Sequence, residues 1–282
     1  MNTSLLLCTD LDRTLLPNGN QPESPNARRR FAAFVARAEV RLAYVTGRHL
    51  ALVEKAIANY VLPRPHFVIA DVGTSLYESA VDCWRRRDDW DQQFAHEWGG
   101  MDHTAIRLLF SDIIELQLQE AAKQSRYKLS FYAPLYTDRR ALLPAMQQRL
   151  ERHNVRASLI WSIDDPAGIA LLDVVPQSAT KFHAIEYLMR REGFTPENTI
   201  FAGDSGNDLP VLCSSLRTIL VANASEDVRE EALQLSAYHG TSDSLYLAKG
   251  GFMDMNGNYS AGILEGVVHF LPETCAWMEE VV

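Results

Sequence analysis

The 282-residue chain has no CxxC pair, no long uninterrupted apolar run and no excess of basic charge. Its four cysteines, Cys8, Cys83, Cys213 and Cys275, lie far apart, which argues against a zinc site and a disulfide framework and leaves packed or idle thiols. The apolar start LLLC at 5–8 ends at Thr9 and Asp10, too short for a signal peptide, and no segment approaches a membrane span. A cytoplasmic protein with no membrane partner is expected. A formal net charge of -9 argues against nucleic-acid partners, because that binding requires clustered Lys and Arg to neutralise phosphates. The RRR runs at 28–30 and 85–87 are short and read as solvated faces. The eight histidines show no ligand spacing.

A chain that is 47% hydrophobic and 22% charged has enough apolar material for one large core or a core with a second lobe. Four short apolar runs read as strands of a sheet covered on both faces: SLLLCT (4–9), RLAYVT (41–46), ALLDVV (170–175) and TIFAGD (199–204). Helical patterns alternate with them. ARRRFAAFVARA (27–38) places Phe31, Phe34 and Val35 on one face, HLALVEKAIANYV (49–61) does so with Leu52, Ala56 and Tyr60, and KFHAIEYLMRREG (181–193) with Phe182, Ile185 and Met189 before a terminating Gly193. Such alternation predicts an α/β fold with a doubly wound parallel-sheet core domain.

The middle of the chain differs. A long helical pattern at 104–124 precedes KLSFYA (128–133) and then two strands, ASLIWSI and IALLDVV, joined by the turn Asp164-Asp165-Pro166-Ala167-Gly168. These predict an inserted α+β cap domain at 83–170, with 1–82 and 171–282 forming the core and hinges near Asp82 and Leu171. In KLSFY the period of two puts Lys128, Ser130 and Tyr132 on one face and Leu129 and Phe131 on the other. Trp84, Trp90, Trp98 and Trp161 are expected in the cap core. The glycine-rich stretch before GILEGVVHF (262–270) reads as a loop and GILEGVVHF itself as a helix packed on the core.

In an open parallel sheet, ligands bind beyond the carboxyl ends of the strands, and the informative polar residues fall there. Asp10-Leu11-Asp12 follows the first strand, Thr46-Gly47-Arg48 the second with His49 beside it, Lys181 opens the helix after ALLDVV, and Asp204-Ser205-Gly206-Asn207-Asp208 follows the last. Any one of these alone reads as a turn or a helix cap. Together they suit phosphoryl chemistry: a carboxylate nucleophile, a second carboxylate two residues on for proton transfer, oxygen ligands for Mg²⁺, and a Lys and a hydroxyl to meet phosphate charge.

DLDRT (10–14), VTGR (45–48), Lys181 and GDSGND (203–208) resemble the four motifs of the haloacid dehalogenase superfamily of phosphatases. The resemblance implies that Asp10 is the nucleophile, Asp12 the general acid/base, and Thr46 and Lys181 catalytic phosphate binders. Gly47, Arg48 and Asn207 join them as substrate contacts, and the metal set is Asp10, Asp12 (through its carbonyl), Asp204 and Asp208. KLSFY, LDVVPQSATKFHAIEYL (172–188) and AGILEGVVHF (261–270) are similar to sucrose-phosphate phosphatases, whose αβ cap is inserted before the third motif. This implies a phosphorylated sugar as substrate, sucrose 6-phosphate first, with mannosylfructose phosphate, a hexose phosphate, a phosphomutase reaction or a non-catalytic binding module as alternatives. It also implies sugar contacts from Lys128, Ser130 and Tyr132, and association with a sugar-phosphate synthase. Ser178-Ala179-Thr180 before Lys181 departs from the glycines that related chains often carry.

Overall fold

LLLCT forms β1 (Leu5–Thr9), and because adjacent side chains of a strand point to opposite faces, a wholly apolar strand requires cover on both sides of its sheet. The computed structural model describes residues 4–164 and 167–279. After β1 come α1 (Ala27–Val35), β2 (Val40–Val45), α2 (Leu50–Tyr60), β3 (Phe67–Ala70), β4 (Ser75–Ser79) and β5 (Trp84–Arg86). A second group follows: α3 (Asp88–Asp91), α4 (His103–Leu108), β6 (Gln117–Leu118), β7 (Leu129–Ala133), α5 (Arg139–Arg152), β8 (Ala157–Asp164) and β9 (Ile169–Pro176). The chain returns through α6 (Lys181–Glu192), β10 (Thr199–Gly203), α7 (Leu209–Leu212), β11 (Arg217–Leu220), α8 (Glu226–His239), β12 (Leu245–Leu247), α9 (Ser260–Phe270) and α10 (Ala276–Glu279).

The large sheet has the order β12-β11-β10-β1-β2-β3-β4-β5, parallel up to β3, with β4 and β5 added antiparallel at one edge. Leu5, Leu7, Leu42, Tyr44, Ile200 and Ala202 point to the side covered by α1, α2 and α9; Leu6, Cys8, Ala43, Val45 and Phe201 point to the side of α6, α7 and α8. The chain leaves β1 towards β2 on one side and later builds β10, β11 and β12 on the other. The loops after β1 and β10 therefore diverge, and the crevice between them is where such sheets take ligands. Gly193 ends α6 at φ 75, as its position predicts.

A smaller antiparallel sheet, β6-β7-β9-β8, forms the second lobe. Leu129, Phe131, Leu172 and Val174 share one face and pack with Phe110, Met146 and Leu150. The expected strand ALLDVV belongs here, as part of β9, and not to the parallel sheet. An apolar run without alternation cannot tell these two settings apart. Strand pairing does not change sheets at the expected junctions: β5 at 84–86 extends the large sheet, whereas β9 stays in the small one to Pro176, so Leu171 lies within a strand. The long helix expected over 104–124 stops at Leu108, because Gln117 and Leu118 pair with Tyr132 and Phe131 as an edge strand. The β8–β9 hairpin forms as expected; Asp165 and Pro166 of its turn lie outside the described residues.

Trp90 and Trp98 are fully buried, but Trp84 lies in the large sheet beneath Arg64, and Trp161 is half-buried. On α2 the buried pair is Val53 and Ala56, one position round from the expected stripe. Trp90 also donates from Nε1 to the Gly73 carbonyl at 3.0 Å. Residues 71–73 turn through three successive positive φ angles, Asp71 (53), Val72 (62) and Gly73 (102). A Cβ on Gly73 would come within 2.7 Å of the Thr180 carbonyl carbon and oxygen, immediately before Lys181. Gly73→Ala is therefore expected to destabilise the protein by about 2 kcal/mol or more. Denaturant unfolding measures this, and an unchanged midpoint would show that the two loops do not depend on this contact.

Candidate active site

Asp10 emerges from β1 with its N–H bonded to the Ala202 carbonyl at 2.9 Å, and Asp204 follows β10, so neighbouring parallel strands deliver both carboxylates to the switch point. Lys181 opens α6, whose first turn is capped by the Thr180 hydroxyl accepting from the His183 N–H at 3.1 Å. This cap accounts for the Ser178-Ala179-Thr180 departure: the segment supplies a helix start without glycine. The Lys181 ammonium is 3.1 Å from Asp10 Oδ1 and 2.7 Å from Asp208 Oδ1, and it donates to Asn207 Oδ1 at 3.1 Å. The other oxygen of Asp208 accepts from the N–H groups of Asp204 and Ser205 and from the Ser205 hydroxyl, each at 3.2 Å. Asp208 is thus committed to holding Lys181 and the turn.

Ligand oxygens of Asp10, Asp204 and Asp208 all lie within 4.8 Å of one another, and all three residues are buried. The carboxylate of Asp12 is not part of this cluster. Burial pushes the Asp10 carboxyl up; Lys181 opposes this, but the charges of Asp208 and Asp204 add to the rise. Burial and the Asp208 charge push Asp204 up to about 6, against the Thr14 hydroxyl (2.9 Å from Oδ1) and Arg13 (3.4 Å from Oδ2). Burial would lower Lys181, yet Asp10 and Asp208 outweigh it and hold the amine charged. Three buried carboxylates face one buried ammonium, and all the donors are oxygen. This donor set of Asp10, Asp204 and Asp208 fits a hard divalent cation.

Asp12 turns away from this cluster. Arg48 grips it with Nε to Oδ2 at 2.7 Å and Nη2 to Oδ1 at 2.6 Å, and Asn18 adds a bond at 2.7 Å. Burial raises its carboxyl, but the Arg48 hydrogen bonds and charge outweigh that and hold it below the usual range. Thr46 is buried at the end of β2, its hydroxyl accepting from the Arg48 N–H at 3.2 Å, and Gly47 and His49 complete that wall.

A crevice of about 660 Å³ separates this floor from the small sheet, a size suited to a small-molecule ligand. Lys128 lines it; Ser130 and Tyr132 share its strand face but do not line the crevice. Ser130 donates to Asp173 at 2.5 Å, and Tyr132 is tied to Lys123 (2.7 Å) and Glu120. Sequence reasoning missed Asp173, Lys123 and Gln119, which line the roof. Asp173 is 3.5 Å from the Lys128 ammonium. The available signal was Asp173 itself, a lone charge within the apolar run IALLDVV.

A model of the family described as sucrose-6F-phosphate phosphohydrolase matches residues 3–271. The chain belongs to that family. It is a phosphoric monoester hydrolase of the haloacid dehalogenase type. A protein of Nitrosococcus oceani named as a HAD-like hydrolase is 53% identical over 280 residues, covering 99% of this chain and 75% of its own length. Sucrose-phosphatase 1 of Nicotiana tabacum is 28% identical over 274 residues, 94% of this chain but 59% of the tobacco protein. The crystal structure of the sucrose-phosphatase of Synechocystis sp. PCC6803 in complex with sucrose and phosphate superposes with a TM-score of 0.72 at 22% identity, covering 95% of this chain and 98% of that one. Phosphatases of this type generally use Mg²⁺. Among the described residues no helix is long and apolar enough to cross a membrane.

If a cation relieves the repulsion among Asp10, Asp204 and Asp208, Mg²⁺ should raise the melting temperature of the chelator-treated protein. A carboxyl whose pKa is raised to about 6 is protonated below that pH, so protons compete with the cation there. Mg²⁺ affinity should fall by at least ~10-fold from pH 7.5 to pH 5 by titration calorimetry. A pH-independent affinity would place the ion elsewhere.

Proposed function

We propose that the protein hydrolyses a phosphorylated disaccharide, sucrose 6-phosphate first among them, through an aspartyl-phosphate on Asp10. The observation carrying this reading is a crevice with two unlike walls. The floor presents Thr46, Asp10 and Asp204, with the buried Lys181 ammonium 3.1 Å from Asp10, suited to a phosphoryl group; the roof presents Lys128, Asp173 and Gln119, which pair donors with an acceptor as sugar hydroxyls require. Sequence likeness to sucrose-phosphatases over most of the chain supports the same substrate class.

In this reading Asp10 Oδ attacks phosphorus, and the ester oxygen leaves with a proton from Asp12. Asp12 then takes a proton from water, which attacks the phosphorus of the aspartyl-phosphate and frees phosphate and Asp10. Arg48 must release Asp12 for this, and an incoming phosphate offers the guanidinium a replacement acceptor. Lys181 and Thr46 meet the charge developing on the phosphoryl oxygens. Bound Mg²⁺ would neutralise phosphate charge beside Asp10 and Asp204.

The reading also takes the lobe over the crevice to run from about residue 87 to 176, where strand pairing changes sheets. It places the protein in the cytoplasm, which the free thiols of Cys8 and Cys213 suit, beside a synthase that makes its phosphorylated substrate.

Asp10→Asn should abolish phosphate release while leaving the fold intact by circular dichroism; release at the normal rate would remove the covalent step. A panel of sugar phosphates read as released phosphate tests the substrate. Sucrose 6-phosphate should exceed fructose 6-phosphate in kcat/KM, since both present the same reacting group and only the first reaches the roof. Lys128→Ala should shrink that preference. Equal kcat/KM for the two esters, or a preference for mannosylfructose phosphate or a simple hexose phosphate, would replace the substrate and leave the phosphatase reading standing.

A further inference from the structure

The loop between Asp12 and Thr14 is held by a residue outside all four motifs. Arg13 sits at φ 58, a left-handed conformation that non-glycine residues keep only when their surroundings enforce it. Its peptide groups are fixed on both sides: its N–H donates to Asn18 Oδ1 at 2.8 Å, and its carbonyl accepts from Asn223 Nδ2 at 2.6 Å. Asn223, three residues beyond β11, is 2% exposed, and its Oδ1 accepts the Tyr259 N–H at 2.8 Å. Tyr259 precedes α9, is fully buried and is itself left-handed at φ 51. One amide therefore joins two strained backbone positions, one in the catalytic loop and one at the start of the helix formed by SAGILEGVVHF. The pairing requires a side chain that donates at one end and accepts at the other, as this amide does. The backbone turn at Arg13 sets the directions of its neighbours, Asp12 towards the crevice wall and the Thr14 hydroxyl to Asp204 at 2.9 Å.

We infer that Asn223 is a positioning residue for the proton-transfer step: by holding Arg13 left-handed, it aims Asp12 at the leaving ester oxygen. The inference rests on the reading of Asp12 as general acid. It also gives the C-terminal segment a part in the reaction, as the anchor of that amide.

The chemistry supplies a test that loss of stability alone does not imitate. A sugar alkoxide is a poor leaving group and needs its proton, whereas p-nitrophenolate departs without one. A displaced Asp12 therefore penalises the sugar ester and spares the aryl ester; less folded enzyme, or a misplaced nucleophile, penalises both alike. The experiment compares kcat/KM of the Mg²⁺-loaded full chain for p-nitrophenyl phosphate and for the best sugar phosphate of the panel. The variants are Asn223→Asp, which keeps the acceptor for Tyr259 and loses the donor to Arg13, and Asn223→Ser, with Asp12→Ala in parallel. Both Asn223 variants should lose roughly 10²-fold on the sugar ester and no more than about threefold on the aryl ester, the pattern expected of Asp12→Ala. Equal losses on the two esters in the Asn223 variants, with Asp12→Ala still discriminating, would overturn the role of Asn223 alone. Equal losses in Asp12→Ala would remove the acid/base reading and this inference with it. Failure of both Asn223 variants to fold would overturn the inference too, since Asn223 would then hold the fold and not the loop.

Discussion

A buried ammonium held between buried carboxylates organises this molecule. Lys181 stays charged out of water only because Asp10 and Asp208 lie at 3.1 and 2.7 Å, and Asp208 reaches it only because the turn after β10 folds back to satisfy its other oxygen. Meeting that condition draws on β1 for Asp10, β10 for the turn, and α6 with its threonine cap for the lysine. It also draws on the left-handed turn 71–73, whose Gly73 packs directly against Thr180. The order of the large sheet matters because it brings these four segments to one end.

The two walls of the crevice solve different electrostatic problems. On the floor, carboxylates outnumber the lysine and leave an excess of negative charge that a cation must offset before a phosphate dianion can approach. On the roof, Lys128 is paired with Asp173 and Lys123 is bonded to Tyr132, so charge is close to balanced and the wall presents direction-dependent hydrogen bonding. On the proposed reading, charge draws in the phosphoryl group and the hydrogen bonding of the roof sorts what is attached to it.

Much of the floor was legible in the sequence, because its residues sit within a few positions of strand ends and local spacing carries their arrangement. Asp10, Thr46 and Asp204 needed only the strand pattern and the rule about carboxyl ends; Lys181 was picked out by the same rule from ALLDVV, a strand that lies in the small sheet. What escaped was set by long-range pairing. ALLDVV read as a core strand because an apolar run looks the same in either sheet, and 104–124 read as a helix because its helical period is real until the β7 edge captures Gln117 and Leu118. Asp173 meets Ser130 across two strands, and Asn223 meets Arg13 across 210 residues of chain, separations at which spacing carries no information. The Arg48 grip on Asp12 was hidden for the same reason, although both residues had been singled out.

The short passage from the roof to the floor bears on how such a protein can be altered by recombination. β9 carries Asp173 over the crevice, and after Gln177–Thr180 the chain delivers Lys181 beneath it. Four residues span at most about 14 Å, and the Ala179 N–H bonds back to the Pro176 carbonyl at 3.0 Å, so this connector is a short turn. A crossover that imports a foreign cap by cutting within β9 splits a hairpin strand, and one that lengthens the connector unseats the buried lysine. The roof strand and Lys181 therefore form one continuous segment of chain. On the proposed reading, a change of substrate would arise more readily by substitution at individual roof positions than by exchange of the whole lobe.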